Sequence, residues 1–202
     1  CIRDSTGDNA DALVSEISIA GKLVKDSLLI ELAEDYPGDP GIVVALLLNR
    51  VTLTKGQALY LPAGNMHAYI HGLGIELMAA SDNVLRGGLT SKHVDVPELL
   101  SVVSDKVVPV PILEPTQVGV GIDLFVPDVP DFVLAHVEVS PELRPSGSIS
   151  LTRHAIVTTT SGNVTIHGAQ SSIELSQGQN AFISAEERDI SFAGKGELFI
   201  AL

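Results

Sequence analysis

The sequence contains few of the residues that mark several large classes of protein. Among its 202 residues there is one cysteine and no tryptophan, and aromatic residues make up 4%. A single cysteine cannot form an internal disulfide, so nothing indicates an oxidising compartment. Basic residues are scarce too, since 12 Lys and Arg stand against 25 Asp and Glu, for a formal net charge of −13. This charge argues against general binding to nucleic-acid phosphates or anionic lipids.

Long apolar runs are also missing. The most apolar run, residues 42–48, is much shorter than a membrane-spanning helix and predicts a fully buried strand. The chain begins with Cys1 and shows neither the basic n-region nor the apolar h-region of a signal peptide. We therefore expect a soluble, cytoplasmic protein. We also expect the sequence to be the interior of a longer polypeptide.

Hydrophobic residues amount to 45% of the chain, which is enough for a buried core. Residues 11–35 carry apolar side chains near helical spacing, interrupted by Gly21, and predict one kinked helix or two short ones. The segment YPGDPG (36–41) then forces a turn. Short apolar runs bounded by Gly, Pro or Asn predict the consecutive strands of an antiparallel sandwich or barrel. These runs are residues 51–53, 57–61, 67–70 and 74–79.

The second half begins with a short predicted helix over residues 95–106, which Asp95 caps and Pro97 opens. A proline-rich extended connection follows at 107–121. Strands resume at Phe132, where alternating apolar residues predict a half-buried strand, and Ser161-Gly162-Asn163 predicts a hairpin turn. The remaining predicted strands are residues 172–175, 180–184 and 197–202. The domains we expect are a helical lead-in (1–36), a β unit with a short helix (37–106) and a second β domain (107–202).

One motif carries chemistry. Gly56, Pro62, Gly64 and His67 have the spacing G-x5-P-x-G-x2-H. The glycine admits a turn into a strand, and Pro62 with Gly64 forms a tight turn that presents His67 at the start of the next strand. An imidazole there can bind a divalent metal. The arrangement resembles the second metal-ligand motif of the cupin superfamily, a β-barrel whose mouth holds a metal.

One histidine does not make a zinc site, because catalytic zinc takes about three protein ligands. The other candidate ligands form no convincing second cluster; they are His71, His93, His136, His154, His167, Glu76 and Asp82. A partial repeat of the motif begins at Gly178, with Ser184, Glu186 and Asp189 in place of Pro62, Gly64 and His67. It indicates either a duplicated barrel whose second copy has lost its metal or a coincidence between two glycine-led hairpins.

The segment from Tyr36 to Leu100 contains LPAGNMHAY (61–69) and SDNVLRGGLTSKHVDV (81–96). Together these segments resemble the type I phosphomannose isomerase (mannose-6-phosphate isomerase) family, and the β region from about 130 to 202 is similar to that family's C-terminal barrel. The resemblance implies a mainly β, duplicated cupin-like antiparallel barrel or jelly roll, with a helical N-terminal lead-in and one short linking helix.

The same resemblance implies a reaction and roles for residues. The family interconverts mannose 6-phosphate and fructose 6-phosphate with one bound Zn²⁺. His67 matches its last zinc-ligand histidine, and Tyr69 and Glu76 match positions that line the pocket. Asp82 and Arg86 match a pair at the substrate, and Lys92 matches a basic position. The family's other zinc ligands, a Gln-x-His pair and a Glu, belong to a region N-terminal to Cys1.

Read as chemistry, Arg86 is a planar donor for phosphate or enediolate charge. Asp82 either orients Arg86 or shuttles a proton, and Glu76 is the rival acid or base. Asp82 and Arg86 also fit an ordinary local ion pair. The function expected is thus an isomerase that acts on a sugar phosphate, with this chain as the C-terminal part and the missing N-terminal part of the same protein as its partner. The alternatives are a non-catalytic cupin-like sugar-binding or regulatory module and an inactive fragment.

Overall fold

The computed structural model describes residues 8–81, 83–142 and 147–202. The chain forms two compact units. The first comprises the described residues of Cys1–Thr52, Leu61–His71 and Asp82–Pro111, and the second those of Leu53–Tyr60, Gly72–Ser81 and Ile112–Leu202. No helix in the described ranges is both long and apolar enough to cross a membrane. The domain boundaries expected at residues 36 and 106 stay a prediction.

Two helices open the first unit, α1 (Asp8–Val24) and α2 (Ser27–Asp35). Of the two predicted alternatives, two separate helices are formed, and the break falls just before α2 and not at Gly21. A Cβ on Gly21 would lie 2.8 Å from the Cβ of Leu29, so the glycine lets α2 pack closely against α1. Asp26 caps α2 by accepting from Leu29 N, and it binds the Arg50 guanidinium at 2.8 and 3.0 Å. Hydrogen bonding to Arg50 lowers the pKa of Asp26.

The strand predicted at residues 42–48 is wrong. Gly41–Ala45 forms a short helix, α3, and residues 41–44 are all buried. Pro40 already has helical φ and ψ, and the carboxylate of Asp39 accepts from Gly41 N at 2.7 Å. A short apolar run has the same appearance in a buried strand and in a buried helix, so its pattern alone cannot separate the two.

The linking helix is α4 (Val96–Val102), and here the prediction is confirmed. Asp95 accepts from Glu98 N at 3.1 Å, which satisfies one of the free N–H groups of the first turn. Pro97 stands in that first turn, where no hydrogen-bond donor is needed. Leu99 is the buried residue of α4.

The second unit is an antiparallel β structure, as the mainly β, cupin-like fold class predicted. The strands of its eight-stranded sheet are β3 (Thr116–Gly119), β4 (Ile122–Phe125), β5 (Leu134–Val139), β6 (Ile149–Ser150), β7 (Ala155–His167), β8 (Ser172–Ser176), β9 (Asn180–Ile183) and β10 (Asp189–Ala201). Their order in the sheet is β3-β4-β5-β10-β7-β8, with β6 paired to β10 and β9 paired to β7. The alternation predicted around Val137 is confirmed, since Ala135, Val137 and Val139 of β5 are buried.

Two long strands, β7 and β10, organise this unit. They pair along almost their whole length, while β9 and β8 pair with the two halves of β7. The hairpin turn predicted at residues 161–163 is wrong, because β7 runs straight through them. Gly162 takes a φ of +69° there, and a Cβ on it would overlap the backbone of β10. The glycine that signalled a turn therefore serves a close approach of two strands.

Each unit has its own buried cluster. The core of the second unit joins both halves of the long strands through Val137, Val157, Val164 and Leu198, among others. The cluster of the first unit consists of Val14, Leu29, Leu32, Ile42 and Val43 from the three N-terminal helices, with Leu89 packed against it.

Several strands predicted in the middle of the chain are absent. Within the described residues, 51–53, 67–70 and 74–79 form no strand, and the run at 57–61 forms only β1 (Ala58–Leu59), which pairs with β2 (Ile112–Leu113). A strand requires a neighbour for its backbone hydrogen bonds. These segments are short apolar runs, as predicted, but the described part of the chain provides no ladder partner for them.

Candidate functional site

The tight turn of the G-x5-P-x-G-x2-H motif is formed as its glycines and proline indicate. Asn65 N donates to the carbonyl of Pro62, and Gly64 adopts a φ of +84°. Its carbonyl accepts from Ser104 N at 2.9 Å, just beyond the end of α4. A side chain at Gly64 would be strained at this φ and would press on the carbonyl of Val102. The turn is thus fixed against α4.

His67 leaves this turn with an exposed ring. Its Nδ1 lies 3.1 Å from the carbonyl oxygen of Asn65. A carbonyl can only accept, so this contact is a hydrogen bond when Nδ1 carries the proton, which leaves the Nε2 lone pair available. Histidines that bind metals are commonly oriented by such a bond from the other ring nitrogen. The ring of Tyr69 lies edge-on to His67, with centroids 5.9 Å apart.

The segment that carries Arg86 packs directly against this turn. Gly87 adjoins Met66, the residue before His67, and a Cβ on Gly87 would overlap the methyl group of Met66. Gly88 has a φ of +128°, and Leu89 has a φ of +51°. The left-handed region is rare for leucine and costs about 1–3 kcal/mol, so the surroundings must hold it in place. We call residues 86–90 the RGGLT loop.

Asp39 holds the other side of the RGGLT loop. Its Oδ2 accepts from Leu89 N at 2.9 Å, while its Oδ1 accepts from Gly41 N at 2.7 Å. One half-buried carboxylate therefore joins the start of α3 to a loop fifty positions later. Sequence analysis missed this role, because it treated residues 36–41 only as a turn. No local signal shows which backbone N–H a distant carboxylate will reach.

The remaining predicted site residues are distributed as follows. Arg86, Lys92 and Tyr69 are exposed, and Tyr69 keeps 73% of its surface open. Glu76 is exposed and belongs to the second unit. Asp82 lies outside the described residues. The structure thus brings together the segments of His67, Tyr69 and Arg86 within the first unit.

The donor set for a metal is incomplete. In the part of the chain that the structure describes, no group of three or more His, Cys, Asp or Glu side chains is arranged to hold a metal ion. His67 can contribute one imidazole nitrogen. A zinc ion would need about three further ligands to complete a tetrahedral site.

A second polar cluster lies in the second unit, and two of its members, Lys55 and Glu197, line a cleft of about 810 Å³. Glu197 of β10 accepts from His136 at 2.9 Å, from Lys55 at 3.0 Å and from Thr160 at 3.2 Å. Burial raises the pKa of Glu197, but the hydrogen bonds from Lys55 and His136 outweigh burial, so its pKa is lowered overall. The same contact with Glu197 raises the pKa of Lys55. This cluster attaches the turn that contains Lys55 to the sheet.

The two turns of the suspected repeat have the same local structure. In residues 54–57 and 176–179, the fourth residue donates its N–H to the carbonyl of the first at 3.0 Å. In both turns the glutamine side chain at the fourth position accepts from the first N–H, at 2.9 and 2.7 Å. Gly56 and Gly178 have φ values of +90° and +82°. The copies diverge afterwards, where Ser184 caps a single turn of 3₁₀-helix (Ala185–Glu187).

Comparison with known proteins gives a consistent result. No family model matches the chain. The mannose-6-phosphate isomerase of Escherichia coli K12 is 37% identical over 169 residues, which cover 83% of this chain and 42% of that protein. The mannose-6-phosphate isomerase of Bos taurus is 36% identical over 186 residues, which cover 86% and 43%.

A solved structure of mannose 6-phosphate isomerase from Salmonella typhimurium, bound to its substrate fructose 6-phosphate and a zinc atom, aligns with a TM-score of 0.82 at 31% identity. The alignment covers 97% of this chain and 50% of that one. The chain therefore spans about half the length of the relatives that it matches.

Proposed function

Because this chain belongs to the mannose-6-phosphate isomerase family over the segment it spans, we propose that it forms the C-terminal part of an enzyme that interconverts mannose 6-phosphate and fructose 6-phosphate. Its partner is then the N-terminal part of the same protein, which corresponds to the half of the relatives that this chain does not cover. The one cysteine in the sequence is compatible with the cytoplasmic location that we propose with it.

The observation that supports this proposal best is the packing of Met66 against Gly87. Met66 precedes His67, the metal-ligand candidate, and Gly87 follows Arg86, the candidate for binding an anion. Their neighbours are in direct contact within one unit, so the two functional segments share one support. Isomerisation of a phosphorylated sugar needs groups of both kinds near one another.

Aldose–ketose isomerisation moves a proton between C2 and C1 through an enediol. A base removes the proton from one carbon and returns it to the other, while the negative charge that develops on oxygen is stabilised. We assign to Arg86 the binding of phosphate or of enediolate charge, since a guanidinium offers two parallel N–H groups. Tyr69 and Lys92 are proposed to contact the substrate. Asp82 and Glu76 both remain candidates for the base.

Zn²⁺ is the metal that we propose for the assembled enzyme, with His67 as one ligand. The described residues do not form a complete zinc site by themselves. The other ligands are therefore proposed to come from the N-terminal part.

The test is an isomerase assay on the full-length protein and on this 202-residue chain. We expect the full-length protein to bind zinc and to convert mannose 6-phosphate into fructose 6-phosphate, which proton NMR of the two sugars follows directly. We expect the shorter chain alone to bind zinc poorly and to show no turnover. A zinc-loaded full-length protein without turnover would overturn the proposal.

The incomplete donor set favours one alternative, a non-catalytic cupin-like sugar-binding or regulatory module. Such a module would bind a sugar phosphate in the full-length protein without zinc and without isomerisation. Calorimetric titration with fructose 6-phosphate, together with metal analysis of the same sample, separates the two functions.

A further inference from the structure

We infer that Asp39 is a positioning residue for the isomerisation, because it fixes the backbone of the RGGLT loop from which Arg86 meets the substrate. This inference rests on the proposed function and adds to it a residue that lies outside the metal and substrate motifs.

The two oxygens of the Asp39 carboxylate make separate contacts. Oδ1 of Asp39 accepts from Gly41 N and Oδ2 from Leu89 N, at 2.7 and 2.9 Å. The side chain is half-buried, and both oxygens bind backbone groups. A carboxylate that accepts two backbone hydrogen bonds from separate segments sets the distance between those segments. Here the segments are the start of α3 and the RGGLT loop.

The backbones around Asp39 approach each other closely. A Cβ on Gly88 would lie 2.8 Å from the Cα of Gly41 and 3.0 Å from Oδ1 of Asp39. A Cβ on Gly41 would lie 2.9 Å from Leu89 N. Both glycines are therefore needed for the two backbones to approach closely enough that Leu89 N reaches the short side chain of Asp39.

Leu89 has a left-handed backbone conformation that its surroundings must maintain. A leucine at φ +51° does not hold this conformation by intrinsic preference. Its N–H is fixed by Asp39, and its side chain packs against the cluster of the first unit. Arg86 stands three residues before Leu89, and Gly87 between them is fixed against Met66. The loop is thus held at both ends, and Asp39 supplies the polar hold.

The test is a double-mutant cycle in the full-length, zinc-loaded protein. In Asp39→Asn the amide group replaces one acceptor with a donor, so one of the two backbone bonds is lost. We expect kcat/KM to fall at least about tenfold in this variant. In an Arg86→Ala background the same change is expected to lower kcat/KM less than about twofold, because the loop then has no guanidinium to position. Asp35→Asn, an exposed aspartate at the end of α2, is the matched control and is expected to retain parental activity.

A merely structural Asp39 would give the same fold-loss in both backgrounds, and that result would overturn the inference. Unchanged kcat/KM in Asp39→Asn would overturn it as well. If Asp39→Asn does not fold, as judged by circular dichroism and zinc content, Gly88→Ala replaces it, since the new Cβ pushes the loop away from Asp39. The same cycle then applies to that variant. An inactive parent protein would overturn the proposed function, whereas an active parent with a normal variant overturns only the role of Asp39.

Discussion

At the scale of single residues, the arrangement around His67 decides how the ring can act. The carbonyl of Asn65 fixes one ring nitrogen as a donor and leaves the other as an acceptor. The tight turn before it is fixed through Gly64, so the ring starts from a rigid backbone. An exposed histidine of a flexible loop would lose more entropy on binding a metal. This arrangement agrees with the proposed role of His67 as one ligand of a zinc site.

We expect His67→Ala in the full-length protein to remove bound zinc and to abolish turnover. The reason is that catalytic zinc has about three protein ligands, and loss of one leaves too few. Metal analysis after gel filtration and the isomerase assay measure both effects. His167→Ala is the control, since His167 is an exposed histidine of β7 that contacts Ser172 Oγ. Normal zinc content in His67→Ala would exclude His67 as a ligand.

Arg86 carries the second prediction at this scale. Replacing it with Ala is expected to lower kcat/KM about a hundredfold, which is typical for loss of a group that stabilises developing charge. If the loss lies in KM, the guanidinium binds the phosphate equally in ground and transition states; if it lies in kcat, it stabilises the enediolate. Arg153→Ala is the control, because Arg153 is an exposed arginine of the second unit that donates to the carbonyls of Asp131 and Pro130. A near-normal kcat/KM would remove Arg86 from the site.

At the scale of elements, the sequence predicted the structure correctly where it depends on side chains that are close in the chain. The cap of α4 by Asp95 and the alternating burial of β5 follow from side chains within a few positions. The signal failed where distant packing decides. Residues 41–45 form a helix whose Ile42 and Val43 pack with residues of α1 and α2, and Gly162 lies inside a strand because β10 approaches it closely. The role of Asp39 was missed for the same reason.

The segments 67–70 and 74–79 show a different limit. Short apolar runs of this kind are typical of strands, yet a strand exists only when a neighbour completes its hydrogen bonds. A sequence pattern predicts the propensity of a segment to form a strand, but it does not show whether a neighbouring strand is there to complete the hydrogen bonds. His67 and Tyr69 belong to such a segment, so the chemistry of the motif was easier to predict from the sequence than the strand around it.

The cluster around Glu197 gives a prediction at this scale. Because the pKa of Glu197 is lowered in the folded state, its charge stabilises the fold above the pKa of an unfolded glutamate, about 4.3, and this contribution is lost as pH falls through the lower folded value. We expect Glu197→Gln to cost roughly 1 kcal/mol at neutral pH and to show a smaller loss of stability on acidification. Urea unfolding at neutral pH and at a pH below the unfolded value measures both effects.

Glu138→Gln is the matched control for that experiment. Glu138 of β5 stands directly opposite Glu197 of β10, and two like charges in register repel each other. Glu138 also attracts Lys55, so the two effects oppose each other and removing the charge of Glu138 is expected to change stability little. If the two glutamine variants lose equal stability at neutral pH, the hydrogen bonds of Lys55 and His136 to Glu197 do not stabilise the second unit.

At the scale of the whole molecule, the net charge and the exposed apolar side chains both bear on the proposed function. A net charge of −13 does not attract an anionic sugar phosphate, so the proposed binding of such a substrate would rely on local cations such as Arg86 and Lys92. The exposed apolar side chains are numerous between residues 69 and 112, where Leu73 and Val107 are fully exposed. Exposed apolar side chains in this number fit the proposal that another segment of the protein covers this part of the chain.

These exposed apolar side chains allow a test of the proposed N-terminal partner. We expect this chain alone to bind a hydrophobic fluorescent dye strongly, and the full-length protein to bind it weakly. Leu73→Ser and Val107→Ser are expected to reduce dye binding in the shorter chain without changing its circular dichroism, and to destabilise the full-length protein, where these side chains are covered. Phe182→Ser, at an exposed position of β9, is the control and is expected to have the same effect on stability in both proteins. Equal dye binding by the two proteins, or Leu73→Ser without effect on either, would show that the N-terminal part does not cover these side chains.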